Sequence, residues 1–214
     1  NGTCLAESLK SMECRGPDDS GFLKCYSNRT TGLLGHRRLS ILDVSSAGHQ
    51  PMSIENEKIN LVYNGEIYNY QEIRDELRRQ GAVFKSNCDT EVILWAYKYW
   101  GEGFVKRLNG MFAIVLWDAF NQKLLLYRDR LGIKPLYYGF SNDNFYFGST
   151  LSAIAKIKGF CPVLNKDALQ LYTFVGHVPS PFSMFKGITK LSPGTAVSVD
   201  FKTWEARTFS YWTI

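Results

Sequence analysis

Three short stretches place charged and amide side chains at the ends of apolar segments, where a rigid scaffold can project them. They are Gly35-His36-Arg37-Arg38-Leu39-Ser40, Val62-Tyr63-Asn64-Gly65-Glu66-Ile67-Tyr68-Asn69 and Ser86-Asn87-Cys88-Asp89-Thr90-Glu91. Each has an ordinary structural reading when taken alone. Asn64-Gly65 after a strand is a strong hairpin signal, although the helix-like segment that follows makes a strand-to-helix turn the better expectation. Asp89 ahead of a helix reads as an N-cap. Arg37 and Arg38 read as a solvated charge pair, and Arg15 with Asp18 as a salt bridge inside a tight turn. The three histidines, His36, His49 and His177, read as structural or solvent-facing. No phosphate-binding glycine loop, dinucleotide fingerprint, zinc-protease helix or serine elbow is present. No His/Cys cluster suggests a metal, so none is expected.

The elements that must carry these residues follow from the hydrophobic pattern. Leu5 to Met12 has helical spacing and stops at the turn-rich Arg15–Gly21. Gly32 to Leu42 and Ile59 to Tyr63 read as extended. Asn69 with Glu72 resembles a capping box opening a helix that carries Ile73 and Leu77 on one face. Thr90 to Trp100 reads as a second helix. Met111 to Trp117 is an unbroken apolar run whose length and flanks predict a strand buried on both faces. Lys123 to Tyr127 returns beside it. Leu136 to Phe140 and Phe145 to Phe147 form a further hairpin, Asn165 caps a helix reaching about Phe174, and Thr195 to Val199 is a strand. Strands in hairpin pairs, with helices not interleaved between them, predict an α+β fold with mostly antiparallel sheets. Doubly apolar strands need cover on both faces, so a layered sandwich is expected.

The chain has 214 residues, enough for one large domain or two small ones. Hydrophobic residues make up 45% and charged residues 21%, which excludes disorder, collagen and coiled coil for the whole chain. The net charge of +5 is carried by scattered residues and predicts no nucleic-acid partner. No apolar run reaches membrane-spanning length, so no membrane partner is expected. Five cysteines, an odd count without C-x-x-C, argue against a disulfide framework or structural zinc and fit a reducing cytoplasm. The Asn-x-Thr matches at Asn1 and Asn28 are then chance.

Read together, these stretches resemble the class II glutamine amidotransferase domain of the glutamine-hydrolysing asparagine synthetase family. The matching segments are Arg15-Gly-Pro-Asp-Asp-Ser-Gly21, His36-Arg-Arg-Leu-Ser-Ile-Leu-Asp43, Gln50-Pro-Met52 and Tyr63-Asn-Gly-Glu-Ile-Tyr-Asn69. They continue with Asp89-Thr-Glu-Val-Ile93, Leu108-Asn-Gly-Met-Phe-Ala113, Arg128-Asp-Arg-Leu-Gly-Ile-Lys-Pro-Leu-Tyr-Tyr138, Phe185-Lys-Gly-Ile188, Leu191-Ser-Pro-Gly194 and Tyr211-Trp212, nearly the whole chain in order. The resemblance implies a four-layer αββα sandwich of the N-terminal-nucleophile hydrolase type, lacking its opening strand here, with residues 1–214 as one amidotransferase domain. It implies that Arg38 grips the α-carboxylate of glutamine, that Asp89 with Glu66 beside it holds the α-ammonium, and that backbone near Leu42 completes the pocket. The side-chain NH₂ of Asn64 and the N–H of Gly65 would form the oxyanion hole.

The family's nucleophile is an N-terminal cysteine whose own α-amine is the general base. Residue 1 here is Asn, and Cys4, Cys14 and Cys88 match no such position. Either the opening segment lies outside these residues and the chain as given is inactive, or the domain is a non-catalytic glutamine-binding or scaffolding relative. The intact oxyanion donors favour the first. The resemblance further implies that ammonia passes to a C-terminal synthetase domain, absent from this stretch. That domain would use ATP and Mg²⁺, most simply to make asparagine from aspartate, with a sugar carboxylate as the alternative acceptor. No cofactor is expected in the present domain, and a homodimer is compatible with it.

Overall fold

A computed structural model describes residues 4–28, 30–40, 45–56 and 58–213. Its centre is a six-stranded sheet in the order β11-β10-β6-β5-β4-β3. The strands are β3 (Met52–Ile54), β4 (Ile59–Ile67), β5 (Gly110–Asp118), β6 (Lys123–Arg128), β10 (Thr195–Asp200) and β11 (Ala206–Ser210). Every pairing in it is antiparallel. Successive residues of a strand face opposite sides of the sheet, so the apolar run in β5 divides between two cores. Ile114 and Leu116 pack with Leu61, Leu125 and Tyr127 against helices α2 (Tyr70–Arg79) and α3 (Asp89–Trp100), through Ile73, Leu77 and Ile93. Val115 and Trp117 face the other way, with Val62, Leu126 and Val197.

That second face is covered by two smaller sheets. One is the hairpin β1 (Asp19–Ser27) with β2 (Thr30–Arg38), and the other has the order β8-β7-β9, from β7 (Tyr137–Ser141), β8 (Asn144–Gly148) and β9 (Ile188–Lys190). Leu34 of β2 and Phe145 and Phe147 of β8 reach into the same core. Outside this layer lie α4 (Leu151–Ala155), which buries Ile154 against Tyr146 and Ile188, and α1 (Ala6–Lys10), whose Leu9 meets β2 at Gly35. The helix–sheet–sheet–helix order matches the expected αββα sandwich. Among the described residues β2 pairs only with β1 and β8 only with β7, so the smaller layer is divided. Helix α5 (Lys166–Val175) follows, capped by Asn165, whose Oδ1 accepts the N–H groups of Asp167 and Ala168.

Several local expectations give way to longer-range pairing. Asn64-Gly65 makes neither a hairpin nor a strand-to-helix turn. β4 runs straight through it because β5 pairs with it as far as Ile67↔Gly110. Gly65 is required there by close approach, since a Cβ would stand 2.1 Å from the Met111 carbonyl oxygen. Asn69 does not cap α2 with its side chain. It instead bridges to the chain ahead of β5, donating to the Arg107 carbonyl and accepting the Asn109 N–H. Asp18 accepts the Ser40 N–H at 2.7 Å instead of forming the expected turn-internal pair with Arg15. Arg37 and Arg38 are not a solvated pair: Arg37 donates to the Gly16 carbonyl and sits 3.5 Å from Glu13, while Arg38 is buried. Strands β1, β3, β9 and β11 and helix α4 have no counterpart in the sequence reading.

Candidate active site

Strand β3 stops at Met52, and this exposes one edge of β4. In the antiparallel ladder Phe112 turns its N–H and C=O away from β4, toward Asp129. Its partner Gly65 therefore turns both of its backbone groups away from β5, toward the edge that β3 has vacated. Tyr63 and Ile67 share that parity, and side chains take up their groups. The Tyr63 N–H donates to Gln50 Oε1 at 2.7 Å, and the Ile67 N–H donates to Asp89 Oδ2 at 3.0 Å. Between them the Gly65 N–H faces a cavity of about 760 Å³.

The lining of that cavity includes Arg38, Asn64, Gly65, Glu66 and Asp89. Five of the six predicted site residues thus line this cavity, although they come from β2, β4 and α3. Leu42 lies outside the described residues. Arg38 ends β2, is 7% exposed, and donates from Nη1 to the Ser45 carbonyl at 3.0 Å. Gly48 leaves room for it, since a Cβ there would stand 2.0 Å from Nη2. Asp89 is the first residue of α3 and not its N-cap, which is Cys88. Its carboxylate is turned back into the pocket, where Oδ2 also accepts the Tyr63 hydroxyl at 2.7 Å. Burial raises the Asp89 carboxyl above the usual range, while the Tyr63 and Ile67 donors oppose the rise. Burial beside Asp89 also pushes the Tyr63 hydroxyl well up, so it stays a donor. A desolvated carboxylate held this way is suited to a cation, and a buried guanidinium across the pocket to a carboxylate.

Three residues of the site were missed as such: Tyr63 and Gln50 lie within the matching segments without a role, and His36 reads from the sequence only as structural or solvent-facing. Tyr63 holds Asp89, Gln50 holds Tyr63, and His36 Nε2 lies 3.0 Å from the Tyr63 carbonyl oxygen. Facing a carbonyl, that nitrogen must carry the proton. Burial lowers His36 from 6.5 to about 4, which keeps the ring neutral. The thiols are dispersed: Cys25 and Cys88 are buried, Cys14 and Cys161 exposed, and Cys88 Sγ lies 2.9 Å from Ser86 Oγ.

A four-layer sandwich with a pocket that takes in Arg38, Asp89 and the open edge of a central strand has the form of an N-terminal-nucleophile amidotransferase. Solved structures of that class share the fold. The glutamine phosphoribosylpyrophosphate amidotransferase of Bacillus subtilis, complexed with ADP and GMP, superposes with a TM-score of 0.69 at 17% identity, over 99% of this chain and 47% of that one. The chain belongs to the glutamine amidotransferase domain family, whose model matches residues 1–212. It is 39% identical over 220 residues to a putative glutamine-hydrolysing asparagine synthetase of Methanocaldococcus jannaschii, covering 95% of this chain and 42% of that protein. It is 39% identical over 185 residues to asparagine synthetase [glutamine-hydrolyzing] 1 of Bacillus subtilis, covering 86% of this chain and 28% of that protein. The chain therefore spans less than half the length of these relatives. Among the described residues no helix is long and apolar enough to cross a membrane.

Proposed function

We propose that this domain hydrolyses the side-chain amide of glutamine and delivers the ammonia to a synthetase domain outside the 214 residues, where aspartate is converted to asparagine. The observation that carries the reading is the convergence of Arg38, Asp89 and the open Gly65 edge on one cavity. Arg38 pairs with the α-carboxylate through its planar fork. Asp89 and Glu66 take the α-ammonium, so amides without a free amino group bind poorly. Asn64 Nδ2 and the Gly65 N–H donate to the tetrahedral oxyanion, each donor contributing about 3–4 kcal/mol to the transition state.

The nucleophile is a cysteine thiol whose own α-amine accepts its proton. Sulfur adds to the amide carbon, the C–N bond breaks, and ammonia leaves with that proton. Water then cleaves the thioester to glutamate. Every cysteine present is internal to the chain and has no free α-amine. The nucleophile is therefore assigned to a cysteine that these 214 residues do not supply. ATP and Mg²⁺ belong to the synthetase domain.

The experiment compares glutamate release by the 214-residue chain with that by the full-length protein. Release only by the full-length protein is expected, and turnover by the short chain overturns the assignment of the nucleophile. In the full-length protein Asp89→Asn should weaken glutamine use at least tenfold and leave synthesis from free ammonia unchanged. Equal loss with both nitrogen sources would make Asp89 a structural residue.

A further inference from the structure

Among the described residues, the stretch of β4 that carries Asn64 and Gly65 has backbone partners on one side only. On the β5 side the ladder continues to Ile67↔Gly110. On the other side β3 has ended, and by its register with β4 (Met52↔Leu61) Pro51 would stand opposite Val62 and the next hydrogen-bonding residue, Gln50, opposite Tyr63. Gln50 fills that place with its side chain. It is buried, its Oε1 accepts the Tyr63 N–H at 2.7 Å, and its Nε2 reaches Thr90 Oγ1 at 3.5 Å. The carbonyl of the same residue is held from β2 by His36 Nε2 at 3.0 Å. Two side chains from different segments thus stand in for a missing strand at the residue just before Asn64.

A strand edge without partners can shift by several tenths of an ångström, and catalytic donors lose much of their effect over such displacements. The two side chains restrain both polar groups of Tyr63, while Asp89 restrains Ile67 from the far end. Gly65, midway between, points its N–H toward the cavity. We propose that His36 and Gln50 are positioning residues that fix the Tyr63–Asn64 backbone and thereby aim the Asn64 and Gly65 donors at the reacting amide. This rests on the reading above that those two groups form the oxyanion hole. Neither side chain has to touch glutamine, so their loss should appear in turnover and not in substrate capture.

The test measures glutamine hydrolysis by the full-length protein and four variants. His36→Leu removes the donor, and His36→Gln keeps an amide N–H at the level of Nε2. Gln50→Met removes the acceptor at similar volume, and Gln50→Glu keeps it. His36→Leu and Gln50→Met should each lower kcat about ten- to hundredfold with KM within twofold of wild type. His36→Gln and Gln50→Glu should restore kcat to within about threefold. A His36→Leu or Gln50→Met protein with wild-type kcat overturns the inference, as does a His36→Gln protein as slow as His36→Leu. Should His36→Leu fail to fold, the Gln50 pair decides the matter alone. Wild-type protein that releases no glutamate would overturn the reading of the site itself, which is a different result from an active wild type with indifferent variants.

Discussion

Arg38 and Asp89 could be found in the sequence because charged residues at the ends of apolar segments draw attention whatever the fold. Tyr63, Gln50 and His36 could not. Each acts through hydrogen bonds whose partners are brought near only by the early end of β3 and the packing of β2 over β4. His36 has a further consequence for stability. Its ring lies neutral against the Tyr63 carbonyl, with Nδ1 buried and, among the described residues, without a hydrogen-bond partner. Burial is the main cause of its lowered pKa, Arg38 and His49 push the same way, and Asp19 and the Tyr63 carbonyl oppose it. The unfolded chain takes up a proton near pH 6.5 and the folded chain only near 4. Between those values the unfolded state binds more protons, so the titration of His36 costs the fold nothing above pH 6.5 and progressively destabilises it as pH falls toward 4. The full effect is at most about 3 kcal/mol. Thermal melts of wild type and His36→Gln should diverge over that window, the variant losing less stability on acidification. Parallel curves would show that His36 does not titrate as described.

At the level of elements, the apolar run of β5, the β5–β6 and β7–β8 hairpins and helices α2, α3 and α5 were legible, because burial on two faces or on one helical face leaves a periodic signature. The continuation of β4 through Asn64-Gly65 was not, because local turn chemistry argues for a reversal and only pairing with β5 overrides it. The same limit hid the work of Arg128-Asp129 at the end of β6. Both side chains are buried. Asp129 accepts four backbone N–H groups, from Phe112, Leu131, Ile133 and Lys134, at 2.9 to 3.2 Å. Arg128 donates to the carbonyls of Gly132, Lys134 and Leu191. Together they tie the loop after β6 to β5 and to the segment before β10. They also fix the parity of Phe112, on which the outward direction of Gly65 depends. Removing the carboxylate leaves buried donors unpaired, at a cost of about 3–5 kcal/mol. Asp129→Ala should lower the urea midpoint accordingly, whereas Asp129→Asn, which retains an acceptor oxygen, should lose markedly less. Equal losses would mean that the charge, not the accepted N–H groups, dominates.

For the molecule as a whole, the two faces of the central sheet are covered, but one apolar stretch remains in water. Between Val163 and Phe182 the exposed large apolar residues are Val163, Leu164, Leu169, Tyr172, Phe174, Val175 and Phe182, with Phe174 78% accessible. Helix α5 fully buries only Ala168. A helix apolar on most sides is ordinarily an interior helix, and a surface patch of this kind on a lone domain promotes self-association. The cluster is set away from the residues that line the Arg38–Asp89 pocket, none of which belongs to α5. Charge added there should therefore change solution behaviour without touching the site. Leu169→Glu with Phe174→Glu in the 214-residue chain should raise the concentration at which it stays monomeric several-fold and reduce binding of a hydrophobic dye. The melting temperature should move by no more than about 2 °C, as expected for exposed positions. A melting temperature lowered by about 8 °C or more would show instead that the α5 face is part of the domain's own core.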